Sequence, residues 1–144
     1  MLSRKDFSSP DWYKMQSCLI GTARYISLTD KGLIDDFREM HAFNGLLDEI
    51  KDETSSSFVL DLIDFDNYKS PIPKHALKEA EAIEAPVLIH IKDSVKLLNK
   101  VGPAELIEFR HLVIKIANEV ADHIDETSDE ELTAIQKITH ALYN

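Results

Sequence analysis

The segment Ser9-Pro10-Asp11-Trp12-Tyr13-Lys14-Met15-Gln16-Ser17-Cys18-Leu19-Ile20-Gly21-Thr22-Ala23-Arg24-Tyr25-Ile26 decides the fold class. A serine before a proline reads as a helix start. The hydroxyl can cap a free backbone N–H, and proline has none to lose at the first helical position. Asp11 adds negative charge at the positive end of the helix dipole. Trp12, Met15, Leu19, Ala23 and Ile26 then recur every three or four residues, the period of one helical face. Thr29-Asp30-Lys31-Gly32 stops the run.

Reading outward, the same period continues. Leu33, Phe37, Met40, Phe43, Leu47 and Ile50 predict a second helix from about Leu33 to Lys51. The polar run Asp52–Ser56 supplies a serine cap for a short helix from Phe58 to about Phe65, although Phe58-Val59-Leu60 suits a strand equally well. Asn67–Pro73, with Ser70-Pro71-Ile72-Pro73, reads as a linker. Beyond it Lys74–Ile83 is rich in strong helix formers. Pro86 is expected to end that helix and open the next, Val87 to about Asn99. Gly102-Pro103 repeats the breaker signal ahead of the longest helix, Ala104–Ile124. Ser128-Asp129-Glu130-Glu131 is a capping box, followed by Leu132, Ile135, Ile138 and Leu142 on one face. The expectation is an all-α chain of about seven helices.

The two halves echo each other. Ile34-Asp35-Asp36-Phe37-Arg38-Glu39-Met40 matches Leu106-Ile107-Glu108-Phe109-Arg110-His111-Leu112, and the flanking turns recur with them. Residues 1–72 and 73–144 each carry 8 basic and 13 acidic residues. This pattern predicts two similar helical units, about 9–66 and 73–144, packed as one compact domain spanning 1–144. Arg38 and Arg110 are expected to form salt bridges between them.

Composition narrows the function. The net charge of −10 and the lack of a basic block argue against nucleic acid and anionic membranes as partners. A single cysteine, Cys18, cannot form an internal disulfide and sits among apolar residues. Met1–Phe7 has two basic residues but no apolar segment, and no apolar run reaches bilayer length. A cytoplasmic protein without a transmembrane segment is the expectation. Phosphate-cradling loops need clustered glycines, and Gly21, Gly32, Gly45 and Gly102 stand far apart. No nucleophile elbow is present, and Cys18 reads as a small buried residue.

Metal chemistry is the open question. Glu108-Phe109-Arg110-His111 places a carboxylate and an imidazole on one helix face, as in di-iron bundles. That architecture needs the motif twice, whereas Asp36-Phe37-Arg38-Glu39 carries no histidine. His41, His75, His90, His111, His123 and His140 are dispersed singly. Acids instead gather at turns into helices, with Asp30, Asp35, Asp36 and Glu39 at one and Asp125, Glu126, Asp129, Glu130 and Glu131 at another. Hard cations take several such oxygens, although acids in a first turn also stabilise a helix without any ion. An EF-hand starting at Asp64 fails, with Lys69 at its glycine position and His75 at its glutamate position.

Leu28–Glu39, with its acidic turn into a helix, resembles the TerB-like tellurite-resistance family, and Ala117–Ile135 is similar to the later copy of that motif. The resemblance implies an all-helical, duplicated, non-enzymatic module of stress response that binds divalent cations (Ca, Mg or Mn) or a protein partner. The implied metal residues are Asp30, Asp35 and Glu39, then Asp125, Asp129 and Glu130. Lys31 between Asp30 and Gly32, and Asn99 where an acid is expected, depart from the family pattern. The alternatives are a di-metal carboxylate enzyme around Glu108 and His111, or a ligand-free protein-interaction scaffold.

Overall fold

The computed structural model describes residues 1–29, 36–123 and 128–144, apart from the side chains of residues 36–40 and 123. Among them are six α-helices: α1 Ser9–Thr29, α2 Asp36–Glu53, α3 Ser57–Leu62, α4 Ala80–Val101, α5 Pro103–His123 and α6 Asp129–Tyr143. Short 3-10 turns occur at Arg4–Asp6 and Ala76–Lys78, and no strand occurs among the described residues. The chain is all-α. No described helix is long and apolar enough to cross a membrane.

At 21 residues α1 is about 31 Å long, and it contacts α3, α4, α5 and α6. Its start differs by one residue from the sequence expectation. Ser8 is the cap, its Oγ accepting the Asp11 N–H at 3.2 Å, and Pro10 falls at the second helical position. The proline is equally harmless there, because none of the first four helical N–H groups has an intrahelical partner. The periodic face also understates the burial. Gln16, Ser17, Cys18, Gly21, Thr22 and Ser27 are buried as well, so α1 is enclosed on nearly every side.

The small residues belong to an antiparallel seam with α4. Along it Lys14 meets Asp93 at 3.4 Å, Ser17 Oγ lies 3.0 Å from His90 Nδ1, and the Tyr25 hydroxyl donates to Glu84 Oε1 at 2.5 Å. Between these pairs, a Cβ on Gly21 would lie 2.7 Å from Val87 Cγ2. Only a glycine permits that approach without the valine giving way.

Pro86 corrects the sequence reading. It neither ends a helix nor opens one, and α4 runs straight through it. A mid-helix proline removes one hydrogen bond and costs about 3 kcal/mol. Ile83, Val87, Ile91, Ser94 and Leu98 nevertheless form an unbroken buried stripe across it. Burying a large aliphatic side chain contributes about 1.5–3 kcal/mol, so the stripe outweighs the proline. Two expected helices thus become one, which accounts for six rather than about seven. The stretch read as a linker also packs down, with Ile72 only 3% exposed.

The caps follow the sequence closely. α5 begins at Pro103. Ser128 Oγ accepts the Glu131 N–H at 3.1 Å, and Glu131 Oε1 accepts the Ser128 N–H at 3.0 Å, completing the capping box. Ser56 Oγ accepts the Val59 N–H at 3.1 Å, which starts α3 as a helix where a strand was the alternative. Phe58, Leu62, Ile91, Leu98, Phe109, Ile116, Ile138 and Leu142 meet the α1 side chains in one contiguous core. Two equivalent units are not evident in the packing. Among the described residues α1 packs broadly on α5, with no comparable contact between α4 and α2.

Candidate functional site

Much of the two acidic turns that the sequence singled out lies outside the described residues. Asp30, Asp35 and Asp125 lie outside the described residues, as does the side chain of Glu39, the fourth residue of α2. Asp129 and Glu130 are exposed in the first turn of α6, where they complement the helix dipole. Their neighbour Glu131 is committed to the capping box and is 4% exposed. Among the described residues no group of three or more His, Cys, Asp or Glu is placed to hold a metal ion.

Glu108 and His111 do share a groove, with Glu53 and Lys115 on its rim. Within it Glu108 Oε2 accepts from Ser56 Oγ at 2.7 Å, tying α5 to the start of α3. Lys115 Nζ lies 3.7 Å from Glu53 Oε2. Arg110, expected to pair with an acid across the units, is placed otherwise. Its Nε donates to the Leu142 carbonyl at 2.8 Å, and its guanidinium lies 4.7 Å from the Tyr143 ring centroid. A cation belongs at that end of α6, where unpaired carbonyls gather negative charge.

Several polar groups have shifted proton affinities. Burial pushes the Cys18 thiol up to about 12, so it stays protonated at neutral pH and is no nucleophile. Glu84 is held below the usual carboxylate range by hydrogen bonds from Lys137 Nζ, at 2.6 Å, and then from Tyr25. Burial and the same carboxylate raise Tyr25. This trio joins α1, α4 and α6 and performs a structural task.

The segment 57–68, where the sequence reading placed a short helix but no site residue, carries the most suggestive surface. α3 stops at Leu62, and the chain turns through Asp64-Phe65-Asp66, with Asp64 Oδ1 accepting the Asp66 N–H at 3.1 Å. Aspartates compete for backbone N–H groups in this way and so favour turns over helix. Between this turn, α3 and α2 lies a groove of about 590 Å³. Leu47, Leu60, Ile63 and Phe65 form its apolar wall, and Phe65 also packs on Phe43 at 6.2 Å between ring centroids. Asp48, Asp64 and Asp66 stand exposed around it, against the single ammonium of Lys51. The signal available in the sequence was Asp61, Asp64 and Asp66 interleaved with Phe58, Phe65 and Tyr68. No family model, curated protein or solved structure matches the chain.

Proposed function

We propose that this chain is a non-enzymatic acidic helical module of the TerB-like stress-response kind, and that it docks a basic, amphipathic segment of a partner protein. The resemblance at Leu28–Glu39 and Ala117–Ile135 supports the family, and the groove between α2 and α3 supports the partner. The observation that carries the reading is the pairing of an apolar wall with a rim of three carboxylates and one ammonium. An amphipathic helix can bury apolar anchors against such a wall while its Lys or Arg residues meet the rim. Charge of this kind accelerates encounter and selects the partner's sign.

A synthetic helical Leu/Lys peptide titrated into the full chain tests the proposal, with a Lys/Ser peptide of equal charge as control. The Leu/Lys peptide is expected to bind more weakly as salt rises. Leu60→Glu and the triple change Asp48→Asn, Asp64→Asn, Asp66→Asn are each expected to weaken it at least tenfold, or about 1.4 kcal/mol. Equal binding of the control peptide, or indifference to both variants, rejects the docking groove.

A further inference from the structure

Asp64 also lines a second pocket, of about 350 Å³, between the N-terminal 3-10 turn, the start of α1 and the segment 61–68. Trp12, Tyr13 and Tyr68 supply aromatic walls, the two tyrosine rings standing edge to face at 6.3 Å. Arg4 is built into this wall. Its guanidinium lies 5.7 Å from the Trp12 ring centroid and 6.0 Å from that of Tyr13. It donates through Nη1 to the Phe7 carbonyl at 3.1 Å and through Nη2 to Ser9 Oγ at 2.7 Å.

Gln16, only 1% exposed, also lines the pocket. Its Nε2 donates to the carbonyls of Leu62 at 3.2 Å and Asp64 at 2.8 Å. Only the amide nitrogen can serve two carbonyls, so the orientation of the amide follows from chemistry. That leaves Oε1 as an acceptor, and no donor among the described residues is bonded to it. Among the described residues only Thr22 Oγ1 is a fully buried side-chain atom without a partner, so Gln16 Oε1 keeps an accessible face that a ligand N–H can reach. Asp61 and Asp64 add two carboxylates. Asp61 Oδ2 accepts the Arg4 N–H at 3.1 Å, and Asp64 is exposed at the mouth. The pocket therefore offers acceptors, π faces and a small excess of negative charge. A ligand suited to it brings hydrogen-bond donors and positive charge on a slim apolar body.

We propose that this pocket binds the primary ammonium group of a small aliphatic amine. The ammonium donates to Gln16 Oε1 and pairs with Asp64, while the methylene chain lies against Trp12, Tyr13 and Tyr68. Trp12 is the only tryptophan in the chain, so its fluorescence reports directly from the wall of the site. The full chain is titrated with 1,5-diaminopentane, with lysine, and with 1-pentanol and pentanoate as controls at matched ionic strength. Saturable quenching or enhancement by the diamine or lysine, with a Kd below ~1 mM, and no saturation by the controls, is the expected result. Tighter binding of lysine identifies an amino acid as the source of the ammonium, and tighter binding of the diamine identifies a free polyamine.

Asp64→Asn, an exposed and nearly isosteric change, is expected to weaken binding about tenfold, and Gln16→Met to abolish saturation. Leu60→Glu, in the neighbouring groove, is expected to leave amine binding intact, which separates this site from the docking surface. Saturation by pentanol or pentanoate, no saturation by either amine, or an unchanged Kd in Asp64→Asn overturns the proposal.

Discussion

The first and second halves carry the same numbers of basic and acidic residues, yet they are built differently. α1, which opens the first half, is enclosed by four other helices, whereas its counterpart α4 buries a single stripe and exposes Ala85, Ile89, Lys92 and Asp93. α3 and α6 also correspond in register. Their caps, Ser56 and Ser128, stand at the same separation as Phe37 and Phe109. α6 nevertheless continues to Tyr143, while α3 ends after six residues. The cause is local chemistry, because Asp61, Asp64 and Asp66 turn the chain where α6 has Thr133, Gln136 and Ile138. Both pockets of the 57–68 region follow from that early stop. Similar stretches of sequence thus pack differently, and the early stop of α3 leaves two surface pockets that α6 does not.

The largest test of this contrast is in the core. Phe58→Ala and Phe109→Ala, one in each half and both fully buried, are expected to cost about 3–5 kcal/mol each. Because the core is contiguous, each variant should still unfold in a single transition in urea. Two separate transitions would show the halves to be independent units.

Pro86→Ala comes next and has the opposite sign. It restores the missing backbone N–H in α4, and a gain of up to about 3 kcal/mol is expected in chemical denaturation. Unchanged or lower stability would mean that α4 depends on the proline. The caps rank third. Ser128→Ala should cost about 1 kcal/mol, and Ser56→Ala somewhat more, since it also removes the hydrogen bond to Glu108. A smaller loss at Ser56 would detach α3 from the stability of the fold.

The smallest effect is a pH slope confined to the seam between α1 and α4. Burial first, and then the nearby Lys14, lower His90 from its ordinary 6.5, with Asp93 opposing them. Above about pH 6.5 the imidazole is neutral in both states and contributes no pH dependence. On acidification the unfolded chain takes up the proton first, so stability falls until the folded His90 also titrates. Melting temperatures between pH 7.5 and 5 should decline less steeply in His90→Gln than in the parent chain. An identical decline would assign the slope to other groups.

Much of the fold was legible in local sequence. The helix at Trp12–Ile26, the break at Gly102-Pro103 and the capping box at Ser128 depend on neighbours within four residues, so composition and spacing reveal them. Pro86 was misread because its local meaning, a helix end, is overruled by the stripe from Ile83 to Leu98 packing on α1. Arg110 was misread for a related reason. Its partner is a backbone carbonyl at Leu142, which no charge pattern encodes. The candidate sites were the least legible part. The sequence drew attention to dense acid clusters at Asp30–Glu39 and Asp125–Glu131, but the pockets gather acids sparsely, from Asp48 on α2 and from Asp61, Asp64 and Asp66 on the following segment.

By itself, then, the sequence determined that this chain is helical, acidic and poor in nucleophilic or phosphate-binding motifs, since those properties reside in composition and short-range period. Tertiary structure decided that α1 is enclosed, that α4 is continuous, and that Gln16, Trp12 and Tyr68 come together around one pocket. Those outcomes depend on the burial of surfaces brought together from distant parts of the chain. Their free energy exceeds the preference of any single residue, and local pattern does not encode it.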